Sequence, residues 1–212
     1  MLPLLLERRD RPLSVLALGA HCDDVEIGAG GLLLLLARQP LALEVCLLTG
    51  AGSGRDDEAR AAARAVTPDV GVEVHGLPDG RLPAHWDEVK DVLSSLAGRA
   101  RPDVVLAPQP ADAHQDHRLI AELVPQVWRD VLVLGYEIPK WDGDLGRPNT
   151  YVALPPEVLE AKWRLLDEHY ASQRGRNWWD REVVVGLARL RGMECRARYA
   201  EAFTVTKALL SF

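Results

Sequence analysis

Histidine and aspartate are concentrated at two places in this sequence, residues 21–24 and residues 112–117. The first cluster has the order His-Cys-Asp-Asp, and the second has the order Asp-Ala-His-Gln-Asp-His. Ionised carboxylates that share one cleft repel one another unless a cation compensates them. A divalent metal held by two histidines and one aspartate keeps positions open for water and substrate, which is typical of catalytic sites. The residue types therefore predict a catalytic metal site, provided that the two clusters meet in the fold.

The segments around both clusters predict an alternation of strands and helices. Short apolar runs typical of strands buried on both faces are Ser14–Gly19, Ala42–Leu48, Val72–His75, Val104–Ala107 and Val131–Leu134. Helical patterns between them are Gly31–Arg38, Asp57–Val66, Trp86–Leu96 and Arg118–Trp128. This alternation predicts an α/β fold with a doubly wound, Rossmann-like and mostly parallel sheet.

The position of each cluster along this pattern predicts that the clusters meet. The first follows predicted strand one, and the second follows predicted strand four. If the strand order is about 3-2-1-4-5, these two strands are neighbours at the topological switch point, where α/β enzymes place their sites. Two clusters that are distant in sequence then flank a single crevice.

The pattern changes near Pro139. A loop at residues 140–149 precedes a strand-like Thr150–Leu154, and helical patterns follow near Glu157–Glu168 and Arg181–Arg191. A chain of 212 residues fits one sizeable domain. We interpret residues 1–212 as a single domain with a core at 12–138 and a C-terminal capping segment with flanking helices at 139–212.

Composition excludes several classes of function. The formal net charge of −6 offers no basic field for a nucleic acid. Cys22, Cys46 and Cys195 are scattered, which indicates reduced thiols in a cytosolic protein. The N-terminal apolar run is too short for a signal peptide, and no stretch approaches the roughly 20 apolar residues of a membrane span. We expect a soluble, cytoplasmic protein.

The two clusters resemble the signatures of the LmbE-like, or PIG-L, family of metal-dependent N-deacetylases. The family pattern A-H-P-D-D, followed by a glycine pair, is similar to residues 20–24 with Gly30-Gly31. The family pattern H-x-D-H is similar to residues 114–117. Weaker likeness covers Lys162, residues 170–173 (Tyr-Ala-Ser-Gln) and residues 200–203 (Ala-Glu-Ala-Phe), so the resemblance extends over most of the chain.

The resemblance implies zinc-dependent hydrolysis of an acetamide on an N-acetylated amino sugar or glycoconjugate, releasing acetate and a free amine. It implies His21, Asp24 and His117 as ligands of Zn²⁺, although Fe²⁺ or another divalent metal would suit the same donors. Asp23 is then the general base, and His114 faces the developing oxyanion.

In metal sites a carboxylate usually accepts a hydrogen bond from a histidine ring and so fixes its orientation. Here Asp116 or Asp112 would hold a protonated His114 in this way. An N-cap role is equally open for Asp112, because aspartate is favoured just before a helix. Cys22 replaces the proline of the family pattern, and we interpret it as a small loop residue rather than a ligand. The proton for the leaving amine comes from either Asp23 or His114.

Four residues are predicted to contact the substrate: Arg60, Asp79, Trp141 and Asp112. A glycine-rich turn at residues 50–54 borders the substrate in the family that the sequence resembles, so Arg55, Asp56 or Arg60 could contact a ligand, although an exposed helix start explains these residues equally well. Asp79 precedes a glycine, as in a short family element, yet Pro-Asp-Gly is also an ordinary turn. Trp141 lies in a glycine-containing loop and could stack on a sugar face, although tryptophans more often pack in the core.

Two other functions would use the same residues. Two histidines and one carboxylate also bind Fe(II) in non-haem oxygenases, although many of those enzymes are double-stranded β-helices. A sugar-binding relative without turnover is the second alternative, and the intact Asp23 and His114 count against it. The expected partner is a small N-acetylated sugar or glycoconjugate, with neither nucleic acid nor membrane, and a homo-oligomer is compatible with the sequence.

Overall fold

A computed structural model describes residues 4–6 and 10–209, and its central feature is one sheet. Within these residues the sheet has seven strands in the order β3-β2-β1-β4-β5-β7-β6. The strands are β1 (Leu13–Gly19), β2 (Leu41–Thr49), β3 (Gly71–Leu77), β4 (Val104–Pro108), β5 (Leu132–Tyr136), β6 (Thr150–Leu154) and β7 (Tyr199–Thr204). Strands β1 to β5 are parallel. The predicted order 3-2-1-4-5 and the predicted fold class are confirmed.

Strands β1 and β4 lie side by side at the centre of the sheet. Val15 pairs with Val104, and Ala17 pairs with Leu106. These side chains are almost fully buried, because helices cover both faces of the sheet. The loops that leave the carboxyl ends of β1 and β4 therefore start next to each other.

Six α-helices cover the sheet within the described residues. They are α1 (Asp24–Leu36), α2 (Arg55–Val66), α3 (Trp86–Arg99), α4 (Gln115–Val127), α5 (Pro156–His169) and α6 (Arg181–Cys195). One apolar core contains side chains of α1, α2 and α5, and a second core contains side chains of α3 and α4. None of the helices in residues 4–6 and 10–209 combines the length and the apolar character needed to cross a bilayer.

Helix α1 begins at Asp24, well before the predicted start at Gly31. Three glycines in α1 lower its helix propensity and hide the start of the helix in the sequence. The fold uses these glycines for close packing, since a Cβ on Gly28 would lie 2.2 Å from the ring of Tyr136. Tertiary packing thus outweighs local propensity at this helix.

The C-terminal segment does more than cap the sheet. Strand β7 is inserted antiparallel between β5 and β6, so the segment extends the sheet at one edge. Two buried side chains fix the segment to the middle of α1. Glu201 accepts hydrogen bonds from the backbone N–H groups of Gly31 and Leu32 at 2.7 Å each. Lys162 donates to Glu201 and to the carbonyl of Ile27, both at 2.6 Å.

Candidate metal centre

The two histidine and aspartate clusters meet at the carboxyl ends of β1 and β4. His21 Nδ1 lies 3.2 Å from His117 Nε2. Asp24 Oδ2 lies 3.3 Å from His117 Nε2 and 3.5 Å from His21 Nδ1. Bond lengths of about 2.0–2.2 Å around a tetrahedral metal place its donor atoms about 3.3–3.6 Å apart. The three atoms therefore have the spacing of three ligands to one divalent cation.

Local backbone structure places these donors. The backbone N–H of His21 donates to Asp24 Oδ2 at 2.8 Å, which closes the turn between β1 and α1. His117 lies in the first turn of α4, where its ring faces the β1 loop. The two loops start from adjacent parallel strands, and this adjacency brings the donor atoms of both loops close together.

Carboxylates lie near the second ring nitrogen of both histidines. Asp79 Oδ1 is 3.0 Å and Asp116 Oδ2 is 3.5 Å from His21 Nε2. Asp112 Oδ2 is 3.0 Å from His117 Nδ1. These are ion-pair distances whose angles depart from those of a well-formed hydrogen bond. The pattern is that of metal-site histidines, whose outer nitrogen faces a carboxylate that fixes the ring.

The electrostatics of the centre favour positive charge. Burial disfavours the charged ring, yet Asp24, Asp116 and Asp79 together raise the pKa of His21 to about 12. Burial is likewise outweighed at His117, whose pKa is raised to about 9 by Asp24 and Asp112. Burial is outweighed again at Asp24, because the two rings hold the pKa of its carboxyl well below the usual range. A divalent cation would meet the same demand for positive charge and replace the ring protons.

Asp23 is buried beside the centre and pairs with an arginine. Its Oδ1 lies 3.0 Å from a terminal nitrogen of Arg55, the first residue of α2. Burial raises the pKa of the Asp23 carboxyl, and Arg55 opposes that increase. The prediction that Arg60 contacts the substrate finds no support in its placement, since its guanidinium donates to the Val72 carbonyl at 2.5 Å. Arg55, which also follows the glycine-rich turn, is instead the arginine that approaches the centre.

His114 is the N-cap of α4, and this role sets its tautomer. Its Nδ1 accepts a hydrogen bond from the backbone N–H of Asp116 at 3.2 Å, so the ring proton is on Nε2. Burial lowers the pKa of His114, and His117 and His21 lower it further. The expectation of a protonated His114 is therefore revised to a neutral ring that donates from Nε2.

The roles expected for Asp112 and Asp116 are also revised. The carboxylate of Asp116 accepts from the backbone N–H groups of Gly80 and Leu82 at 2.7 and 3.0 Å, on the side of the site that faces His21. Asp112 accepts from the backbone N–H of His114 at 2.8 Å and faces the ring of His117. Both carboxylates thus face histidines of the donor triangle, whereas the sequence predicted that one of them, Asp116 or Asp112, would hold the His114 ring.

Two predicted substrate residues lie on exposed surface. The side chain of Asp79 is 63% exposed while its oxygen contacts His21. Trp141 is 67% exposed, donates from Nε1 to Asn177 at 2.6 Å, and meets Trp178 edge-on at 6.4 Å between ring centroids. Trp141 is therefore available to a ligand rather than packed in the core.

Cys22 is a buried, free thiol. Its Sγ donates to the carbonyl of Thr49 at 3.6 Å. Burial raises the pKa of the Cys22 thiol to about 12, and its Sγ is engaged by the Thr49 carbonyl. The interpretation of Cys22 as a loop residue agrees with this environment.

Comparison with known proteins yields one family. Residues 16–128, which contain both clusters, match the family model described as PIG-L: GlcNAc-PI de-N-acetylase. In sequence, the chain is similar to the uncharacterized deacetylase YaiS of Escherichia coli strain K12, with 27% identity over 169 residues. That similarity covers 74% of this chain and 86% of YaiS.

Solved structures share the fold. N,N'-diacetylchitobiose deacetylase from Pyrococcus horikoshii has a TM-score of 0.72 at 21% identity, over 91% of this chain and 83% of that chain. The conserved protein TT1542 from Thermus thermophilus has a TM-score of 0.74 at 23% identity, over 94% and 97%. GalB, the 4-carboxy-2-hydroxymuconate hydratase from Pseudomonas putida KT2440, has a TM-score of 0.73 at 20% identity, over 94% and 98%. At these identities the likeness describes architecture alone.

Proposed function

The chain belongs to the PIG-L family of de-N-acetylases, hydrolases of amide bonds, and on that premise we propose that it deacetylates an N-acetylated amino sugar or glycoconjugate. The observation that carries the proposal is the triangle of His21 Nδ1, Asp24 Oδ2 and His117 Nε2, with sides of 3.2, 3.3 and 3.5 Å. These three side chains would hold one divalent metal. The mixed nitrogen and oxygen donors favour zinc, and Fe²⁺ would fit the same set.

When bound, such a metal would lower the pKa of a water molecule, so that hydroxide is available near neutral pH to attack the amide, and it would polarise the carbonyl oxygen. The protein must then supply a base, an oxyanion partner and a proton for the amine. Asp23 lies between His21 and Asp24 in the sequence. Its side chain is buried, and it is not part of the donor triangle. A carboxylate whose pKa is raised by burial is better matched to take a proton from water at neutral pH than an ordinary aspartate.

His114 supports the second requirement. Its ring centroid is 4.6 Å from that of His117 and 4.9 Å from that of His21, so it borders the centre. The Nε2–H of the neutral ring would donate to the oxygen that gains charge as the tetrahedral intermediate forms. A neutral His114 has no extra proton to transfer, so protonated Asp23 is the better donor to the leaving amine.

Two exposed side chains suit a sugar, Asp79 in contact with His21 and Trp141 next to Lys140 in the loop after β5. Trp141 presents an aromatic surface to the apolar face of a pyranose ring, and Asp79 offers a carboxylate to its hydroxyls. The acidic composition and the absence of a basic field favour a neutral or cationic ligand over a polyanion. A cytoplasmic location and a homo-oligomer stay predictions from the sequence.

A second candidate is the addition of water to an activated double bond. GalB, a hydratase, has the same architecture, which by itself assigns no chemistry to this chain. Both reactions need an activated water beside a general base, so the centre alone is compatible with either. Release of acetate and appearance of a primary amine distinguish deacetylation from hydration.

The decisive experiment couples metal analysis to a substrate panel. Purified protein is analysed for metal content and then incubated with N-acetylglucosamine, its oligomers and N-acetylated glycoconjugates while free amine and acetate are measured. We expect one equivalent of divalent metal and stoichiometric acetate and amine from at least one compound. His117→Ala should lose the metal, and retention of one equivalent in that variant would contradict the ligand assignment.

A further inference from the structure

Lys140 lies in the loop that follows β5, next to Trp141. Its ammonium is next to a carboxylate of the centre, 2.9 Å from Asp112 Oδ1. We propose that Lys140 is a positioning residue that holds Asp112 against His117. The inference rests on the proposed function, because it takes His117 to be a metal ligand.

The contacts form a continuous chain of charges. Lys140 Nζ lies 2.5 Å from Asp144 Oδ2 and 2.9 Å from Asp112 Oδ1. Asp112 Oδ2 in turn lies 3.0 Å from His117 Nδ1. The side chain of Asp112 is 0% exposed and that of Lys140 is 12% exposed, so solvent screens this chain poorly.

A carboxylate buried this completely needs partners on both oxygens. Asp112 Oδ2 faces His117, and Oδ1 has two partners, Lys140 Nζ and the backbone N–H of His114. Without Lys140, only a neutral backbone donor would hold Oδ1, and the carboxylate would be free to turn away from the ring. His117 would then lose the anionic contact that fixes its orientation toward the centre.

The same contacts fasten the loop of residues 139–149 beside the centre. Asp144 Oδ2 also accepts from the backbone N–H of Ala113 at 2.7 Å, and Gln109 Nε2 donates to the Asp144 carbonyl at 3.2 Å. Asp144 therefore anchors the loop to the residues between β4 and α4. Lys140 differs from Asp144 in that it contacts the carboxylate that faces His117.

The experiment measures metal affinity rather than activity. Metal-free wild type, Lys140→Met and Lys140→Arg are titrated with Zn²⁺ and Co²⁺ against a competing chelator, and the visible spectrum of the Co²⁺ form is recorded. We expect Lys140→Met to weaken metal affinity by about tenfold and to alter the Co²⁺ spectrum, because groups that orient a metal-bound histidine contribute to metal affinity on this scale. Lys140→Arg keeps the cation and should recover most of the affinity. Lys90→Met is the matched control, because Lys90 lies on α3 and makes none of the contacts described for the centre. This variant should bind metal as wild type does.

The direction of the change is informative. Removal of a positive charge near a cation site should by itself tighten metal binding. Weaker binding in Lys140→Met would therefore report lost positioning of Asp112. Equal or tighter binding would overturn the inference.

Two further variants separate the remaining outcomes. Asp144→Asn loosens the loop but leaves Lys140 beside Asp112, so it should raise KM for the substrate and keep metal affinity. An equal loss of affinity in Asp144→Asn and Lys140→Met would attribute the effect to the loop and overturn the role of Lys140. If Lys140→Met does not fold, Lys140→Gln carries the same expectation. Wild type that binds no metal would contradict the proposed function itself, a result distinct from unchanged affinity in the variants.

Discussion

The carboxylate of Asp23 lies 3.0 Å from the guanidinium of Arg55, so the proposed general base of this deacetylase is paired with a cation at the entrance to α2. Three glycines with positive φ, Gly50, Gly52 and Gly54, shape the turn that brings Arg55 to this position. The pair balances two opposing effects on Asp23, because burial raises the pKa of its carboxyl while Arg55 lowers it. The reactivity of the base therefore depends on a residue from a different βα loop.

The variant Asp23→Asn should keep the metal and lose the reaction. Asparagine is nearly the same size as aspartate but cannot accept a proton from water, so we expect kcat to fall by at least about 10²-fold. Metal content measured on the same sample should stay at the wild-type value, since Asp23 is outside the donor triangle. An unchanged rate of acetate release would show that another group is the base.

The variant Arg55→Met should move the pH profile. Because the guanidinium lowers the pKa of Asp23, its removal raises that pKa, and the base is deprotonated only at higher pH. The acid limb of kcat/KM should therefore shift to higher pH, measured as the midpoint of the rise in activity. Arg60→Met is the matched control, because Arg60 serves the carbonyl of Val72 and its loss should leave the midpoint in place. A shift to lower pH in Arg55→Met would contradict the pairing.

The variant His114→Ala should separate turnover from metal binding. Loss of one hydrogen-bond donor to an oxyanion costs on the order of 10²–10³-fold in kcat. His114 is not part of the proposed donor set, so the variant should retain its metal while His117→Ala does not. A neutral His114 also predicts that wild-type kcat does not decline as pH rises through the ordinary histidine range near about 6.5. A decline there would indicate that the protonated ring is the active form.

Gly28→Ala tests why α1 contains glycine. A Cβ at this position would lie 2.2 Å from the ring of the buried Tyr136, so the variant is expected to lose about 1–3 kcal/mol in the free energy of unfolding. Gly186→Ala is the control, because Gly186 is exposed on α6 with open space where its Cβ would be. That change should stabilise the protein by up to about 1 kcal/mol through helix propensity. Denaturant unfolding of both variants measures the difference, and equal effects would refute the packing argument.

The meeting of the two clusters was predicted from the sequence on the condition that the sheet has the common order 3-2-1-4-5, which the structure confirms. Apolar runs that alternate with helical patterns are compatible with few topologies, because parallel strands need crossovers and the crossovers have one hand. Once β1 and β4 are neighbours, His21 and His117 have to approach each other. Local patterns and chain order therefore predicted that the two clusters meet, whereas the proposed ligand set came from the resemblance to the family.

Only the tertiary structure decided which side chains contact the carboxylates around the donor triangle. Arg55 rather than Arg60 points to Asp23, and Lys140 contacts Asp112, because helix phase and loop path set the direction of a side chain and neither is visible in composition. The neutral state of His114 depends on its N-cap hydrogen bond and on two neighbouring rings that are far away in sequence or on the next helical turn. Residue types limit which reactions are chemically feasible. The charge that each group carries depends on its distance to other charges and on its burial, because electrostatic energies vary steeply with both.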